Sequence, residues 1–244
     1  MKTHLPDYVA SGYFLSRHVG FRDCTGYELR PTTLAHDHSR RRFFPDSWTL
    51  SWCGETHEQR VEEAGHFGIE NGDLDQVMAW ADQSFGSVFG AWNAFFTLND
   101  ARAAARSFLR SAADVEIWGV GLHRSLAGAF CEASAPPPPQ PGHAPVGASA
   151  IHVATCVRPA PLADGAEVLG HEILIADSGT FNSLESLHFD ERQTLRGAGV
   201  TPNIHGLIDS FGEALACCRL VEPAVTREVA GASWFPWLFA RYPL

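Results

Sequence analysis

Apolar residues recur at helical spacing in several stretches and alternate, or run together, in others. Asn71-Gly72-Asp73 opens a first predicted helix, with Leu74, Val77, Met78, Ala81 and Phe85 following on one face. A second starts at Asn99 or Asp100 and places Ala101, Ala104, Ala105, Phe108 and Leu109 together. A third carries the capping box Ser210-Phe211-Gly212-Glu213, and buries Ala214, Leu215, Cys218 and Val221. A fourth runs from about Phe181 to Arg196, with Gly197 as its stop. Strands are predicted over Tyr8 to Leu15, Trp48 to Cys53, Val115 to Leu122, Ile151 to Val157, Val168 to Ala176 and Trp234 to Arg241. Pro236 has no N–H to give a ladder, so that last strand is expected at an edge or a bulge. About four helices and several strands, not in strict alternation, indicate an α+β fold built on an antiparallel or mixed sheet.

Composition narrows the class. Hydrophobic residues at 45% and charged residues at 19% of 244 describe a globular chain, long enough to bury a core without covalent staples. One segment punctuates it, Ser134-Ala135-Pro136-Pro137-Pro138-Pro139-Gln140-Pro141-Gly142-His143-Ala144-Pro145, an extended connector by its fixed φ and missing donors. The expected organisation is an N-terminal half over 1–133, a Pro-rich loop over 134–149 and a C-terminal half over 150–244, packed as one domain. No apolar run approaches the ~18 residues of a membrane span, and the first residues do not form a signal peptide. A cytoplasmic location without membrane contact is therefore expected. The cysteines, Cys24, Cys53, Cys131, Cys156, Cys217 and Cys218, form no Cys-x-x-Cys pair and read as buried free thiols.

Twelve histidines invite metal chemistry. His36-Asp37-His38 would aim two imidazoles one way, but Arg40, Arg41 and Arg42 follow and oppose a cation. His57-Glu58 lacks the zincin spacing, since Val61 stands where the second histidine belongs. His171-Glu172 and His188 with Glu191 are similar near misses and read as surface polar groups. Gly119-Val120-Gly121 follows a strand as a phosphate-binding turn would, but the third glycine and the ribose-binding acid are out of place. No Gly-x-Ser-x-Gly elbow is present. No metal or cofactor is expected, and no catalytic residue can be assigned.

Charge placement adds the most. From residue 55 to 82 the eight acids Glu55, Glu58, Glu62, Glu63, Glu70, Asp73, Asp75 and Asp82 face only Arg60, a net −7 of the chain's −10. Such a segment repels nucleic-acid phosphate and draws basic partners, or simply serves solubility. Core packing accounts for most of the seven tryptophans. Phe67, Trp80 and Phe85 lie nearest the acids, where an exposed ring would anchor an interface.

Five phrases carry a resemblance: Phe44-Pro45-Asp46-Ser47-Trp48-Thr49-Leu50-Ser51-Trp52, Trp118-Gly119-Val120-Gly121-Leu122-His123, Val168-Leu169-Gly170-His171-Glu172-Ile173-Leu174, Asn203-Ile204-His205-Gly206-Leu207-Ile208, and Trp234 to Leu244. Together they resemble a largely uncharacterised group of bacterial proteins of about this size. More loosely, they resemble the small acidic cytosolic immunity proteins that neutralise secreted toxins. The resemblance implies an α/β body and a toxin partner, and it brings no catalytic residues. Thr180-Phe181-Asn182-Ser183-Leu184 departs from the Phe-His-Ser-Trp-like phrase of that group. The expected function is that of an immunity or inhibitor protein. Glu55, Glu58, Glu62, Glu63, Glu70, Asp73, Asp75, Asp82 and Trp80 would form the face that meets a basic toxin. The alternatives are a histidine-using or metal-dependent hydrolase assembled from His36, His57, His171 and His188, and a structural or assembly protein.

Overall fold

A computed structural model describes residues 3–17, 46–47, 69, 71–90, 94–109, 115–136, 149–177, 180–183, 195–205, 207–225 and 233–244. Its strands are β1 (Tyr8–Arg17), β2 (Asp46–Ser47), β3 (Val115–His123), β4 (Glu167–Asp177), β5 (Thr180–Ser183) and β6 (Trp234–Tyr242). They form one sheet in the order β2-β1-β3-β6-β4-β5, and every neighbouring pair is antiparallel. The helices are α1 (Asn71–Ser84), α2 (Leu98–Phe108), α3 (Arg124–Ala133), α4 (Ala150–His152, running into a π-helical turn over Val153–Val157) and α5 (Phe211–Val225). The fold is thus α+β, and the sheet takes strands from both sides of the Pro-rich segment.

Strand parity sorts the core into two layers. On one face, here the front, Tyr13 and Leu15 of β1, Ile117 of β3 and Leu238 and Ala240 of β6 pack against Leu74, Val77 and Ala81 of α1 and Ala101, Ala104 and Ala105 of α2. Trp234 shares the parity of Leu238, and with Ile173 and Ile175 of β4 it meets Ala214, Cys217, Cys218 and Val221 of α5. On the back face, Trp118, Val120, Leu122, Trp237 and Phe239 pack against Phe130 of α3 and Ala150 and Ile151 of α4. With helices on both faces, the central strands have no solvated side, and seven of β6's nine residues in a row are buried.

Helix ends follow local chemistry. Thr97 caps α2, its Oγ1 accepting from Asp100 N (3.1 Å) and donating to Asp100 Oδ2 (2.7 Å), so the helix starts before Asn99. Ser210 Oγ accepts from Glu213 N at 3.2 Å and starts α5 at the expected capping box.

Several expectations are corrected. Ile151 to Val157 is not a strand. Ser149 Oγ accepts from His152 N at 3.1 Å and caps a helix that docks on the back face through Ala150 and Ile151. The helix expected from Phe181 does not begin there: Phe181 pairs with Ala176 in β5, and residues 184–194 lie outside the described set. A short helical turn over 195–197 ends at Gly199 rather than Gly197. Gly199 has φ +69, its N–H bonds to Arg196 O and that of Val200 bonds to Leu195 O. Pro236 is not on an edge strand, for β6 lies between β3 and β4. It pairs with Ile173, while the β3 register stops at Leu122↔Trp237, so the proline sits where only one neighbour needs a ladder. Cys131 and Cys156 are not free thiols but a disulfide joining α3 to the π turn, whereas Cys217 and Cys218 are buried free thiols. Closing a loop of sequence separation 25 takes on the order of 3 kcal/mol of entropy from the denatured chain. Among the described residues, no helix is long and apolar enough to cross a membrane. The strand predicted over Trp48 to Cys53, and most of the Pro-rich segment, lie outside the described residues.

The glycines of β3 have a packing reason rather than a phosphate. A Cβ on Gly119 would lie 2.6 Å from Tyr242 Cε2 and 3.2 Å from Tyr13 Cε1, and one on Gly121 3.1 Å from Tyr8 Cβ. Replacing Gly119 by Ala overpacks this front-face site and should cost about 1–3 kcal/mol. Gly128→Ala on α3, where nothing lies within 4 Å, should instead stabilise by about 0.5–1 kcal/mol. Urea unfolding of the two variants checks the contrast.

Candidate functional site

Two places on the front side of the molecule combine chemistry with shape. The first is the outer stripe of α1. Leu74, Val77, Ala81 and Ser84 turn inward, which leaves Asp75, Gln76, Ala79, Asp82 and Gln83 exposed. Asp75 and Asp82 are two helical turns apart, about 10 Å along the axis, with Ala79 between them. Phe85 prolongs the same stripe just beyond the helix and is 58% exposed.

The turn that carries Phe85 is held from several sides. Phe85 N bonds back to Ala81 O (2.9 Å), Gly86 N to Phe89 O (2.7 Å) and Val88 N to Ser84 O (2.9 Å). Gly86 has φ +77, a left-handed conformation that a side chain would strain. Phe96 N bonds to Val88 O at 3.0 Å and ties the turn to the chain that returns past it. The Phe85 ring meets the buried Phe89 ring edge to face, centroids 5.8 Å apart. Trp80 stacks on Phe89 at 5.6 Å and tilts against Phe108 of α2 at 4.9 Å. An aromatic wedge therefore supports the exposed phenyl ring from beneath.

The second place is a buried polar cluster between the two front-face cores. His171 of β4 is fully buried, and its Nε2 lies 2.8 Å from Tyr8 Oη while its Nδ1 lies 3.2 Å from Ile208 O. A carbonyl oxygen only accepts, so Nδ1 carries the hydrogen and donates it. Nε2 is then bare, and the Tyr8 hydroxyl donates to it. Burial pushes His171 down to about 4 and Tyr8 up to about 12, which keeps both groups neutral near pH 7. His123, at the end of β3, stacks on Phe211 of α5 with centroids 4.1 Å apart and meets the Tyr8 ring at 5.2 Å.

The Ile208 carbonyl is set in place by the loop before α5. Asn203 Nδ2 donates to Leu169 O and Asp209 Oδ1, both at 2.7 Å, and Asn203 Oδ1 accepts from the N–H groups of His205 and Leu207. His171 and Ile208 exchange backbone bonds of 2.7 and 2.8 Å. Gly170 makes this approach possible. It has φ +137, and a Cβ there would lie 2.7 Å from Leu207 Cβ.

The structure thus corrects the expectation that His171 and Glu172 are surface groups: they are 0% and 6% exposed, on opposite faces of β4. His171 shares the parity of Ile173 and Ile175, a signal present in the sequence, and a sheet covered on both sides buries either parity. Of the nominated partner-binding residues, Asp75 and Asp82 lie on the exposed stripe, Asp73 is partly exposed and Trp80 is half-buried in the wedge. Glu55, Glu58, Glu62, Glu63 and Glu70 lie outside the described residues, as do Phe67, His36, His57 and His188. Among the described residues, no three His, Cys, Asp or Glu side chains gather as metal ligands would. Sequence reasoning missed Tyr8, Asn203 and Phe211, whose partners are brought to them only by the sheet and the loop before α5.

The His171 site predicts an acid response. Its folded-state value of about 4 lies below the unfolded 6.5, so the unfolded chain binds the extra proton between those values. Stability from this group is complete above about 6.5 and falls as the pH drops toward 4, by on the order of 3 kcal/mol. His171→Gln should flatten that slope in denaturation curves measured from pH 7 to 4. Tyr8→Phe leaves Nε2 buried without a donor and should cost about 1–3 kcal/mol at pH 7.

Compared with protein-family models, curated proteins and solved structures, the chain matches none of them.

Proposed function

We propose that this chain is a protein-binding module of the immunity type, which receives a basic toxin on the α1 stripe. The observation that carries this reading is Phe85, a large aromatic ring 58% exposed on a braced turn, directly following Asp75 and Asp82 on one line. An apolar anchor beside carboxylates suits a partner whose lysines and arginines surround an apolar pocket. The sequence adds to it. The net −7 between residues 55 and 82 places most of the chain's charge in the segment that leads into and forms α1. Negative potential of that density speeds the encounter with a cation-rich surface, and the buried ring then slows escape.

The hydrolase alternative loses one of its four histidines. Both nitrogens of His171 are engaged, with Tyr8 Oη and Ile208 O, and no face of the ring reaches solvent. A histidine so placed braces the junction of β1, β4 and the loop before α5.

Any secreted toxin encoded by an adjacent gene is the first partner to test: co-expression should restore growth, and the purified pair should associate faster as salt is lowered. Asp75→Lys with Asp82→Lys should reduce the association rate about tenfold or more at low salt. Phe85→Ala should act mainly on dissociation and weaken binding by about 1–3 kcal/mol. Growth that the intact chain fails to restore, or an association rate indifferent to the two reversals, would overturn the proposal.

A further inference from the structure

We propose that the Cys131–Cys156 disulfide is a redox clamp on the Phe85 turn, and that a dithiol reductant loosens that turn by opening it. The consequence for binding rests on the reading of the turn as a docking surface. The clamp itself rests on covalent and packing contacts alone.

The connection can be followed residue by residue. Cys131 belongs to α3, which is seated on the back face by Phe130, edge to face with Phe235 (5.6 Å) and Trp237 (5.2 Å). Cys156 belongs to the π turn, which is closed by the bond from Arg158 N to Val153 O at 2.8 Å. Arg158, two residues beyond the disulfide, reaches the Phe85 turn directly. Its Nη1 donates to Ser87 O at 3.3 Å, and its guanidinium lies 5.1 Å over the Phe96 ring. The start of α4 touches the far end of the same turn: a Cβ on Gly90 would lie 2.6 Å from Ala150 Cβ. The segment therefore bears on the turn at two points, through Ala150 at Gly90 and through Arg158 at Ser87, and it is the second that lies beside the disulfide.

Opening the clamp should act locally. His152 stays bonded to Ser134 Oγ at 2.8 Å, and Thr155 Oγ1 to the buried Ser11 Oγ at 2.9 Å, so the first part of the segment remains in place. What is released is the stretch from Cys156 to Arg158. A π turn holds one residue more than an α turn. A return to α register would swing the side chains that follow by about 100° and carry Arg158 away from Ser87. Both cysteines are half-buried and Val157 beside them is 61% exposed, so a small reductant can reach the bond. In the exchange the S–S bond breaks and two electrons come from the dithiol. The dithiol closes to its own disulfide, and its two protons end on the sulfurs of Cys131 and Cys156.

The test needs no binding partner. Amide exchange of the full chain is followed by mass spectrometry in the oxidised form, after dithiothreitol, and in the Cys131→Ser, Cys156→Ser double variant. Peptides covering 84–96 and 153–158 should exchange about tenfold faster in the last two, while those of β3 and β6 keep their protection. Arg158→Ala in the oxidised protein should loosen 84–96 to the same degree, and dithiothreitol should then add nothing there. Unchanged exchange over 84–96 on reduction overturns the proposal. So does a rise shared equally by the central strands, which marks a plain loss of stability. Alkylation of both Cys131 and Cys156 in protein never exposed to reductant would do the same. Failure of the docking reading would show instead as absent toxin binding with the exchange contrast intact.

Discussion

The pairing of β3 with β6 is the constraint on which the remaining architecture rests. β3 comes from the middle of the sequence and β6 is its last strand; the two run antiparallel from Ile117↔Tyr242 to Leu122↔Trp237 and are buried on both faces. Each then recruits one outer partner, β1 on the side of β3 and β4 on the side of β6. The glycines of β3 let the front layer settle closely. Tyr13 and Tyr242 lean over Gly119 and also clasp the chain before β4, Tyr242 Oη donating to Ala163 O at 2.7 Å and Tyr13 Oη accepting from Ala163 N at 3.0 Å. Everything of chemical interest is positioned relative to this pair.

The two front-side places have different characters. At the centre of the second place both ring nitrogens of His171 are engaged, with Tyr8 Oη and Ile208 O, all three residues are buried, and desolvation keeps the imidazole neutral. Such a network fixes geometry and has no open valence for a substrate. The α1 stripe is the reverse: carboxylates without a described cation beside them and an aromatic ring turned outward over a rigid support. Recognition belongs to surfaces of the second sort.

Much of the fold was legible because it is written in local signals. The runs Val115 to Leu122 and Val168 to Ala176 have the length and apolar content of buried strands, and Ser210 with Glu213 carries the pattern of a helix start. Ile151 to Val157 misled because β-branched residues suit a back-face helix as well as a strand once Ser149 caps it. Pro236 misled because edge and centre differ only in what lies alongside, and the ladder between β3 and β6 stops at Leu122↔Trp237, one residue short of it. His171 was placed on the surface by its polarity, although the helices over both faces, invisible to strand parity, bury it. The disulfide could not be read at all, since spacing along the chain does not say which sulfurs α3 and the π turn bring together. For the site, the acidic tract named Asp75 and Asp82, but the helical period set Phe85 on the buried face with Leu74, Val77 and Ala81; the helix ends at Ser84, and the turn beyond it carries the ring outward.

The bond between Cys131 and Cys156 spans the Pro-rich stretch like a staple across a seam. A protease that severed the backbone anywhere from 137 to 148 would leave two polypeptides still linked through sulfur. One piece would retain β1 to β3 and the other β4 to β6, with the β3–β6 ladder between them. The nicked molecule would then migrate as one species until a thiol is added.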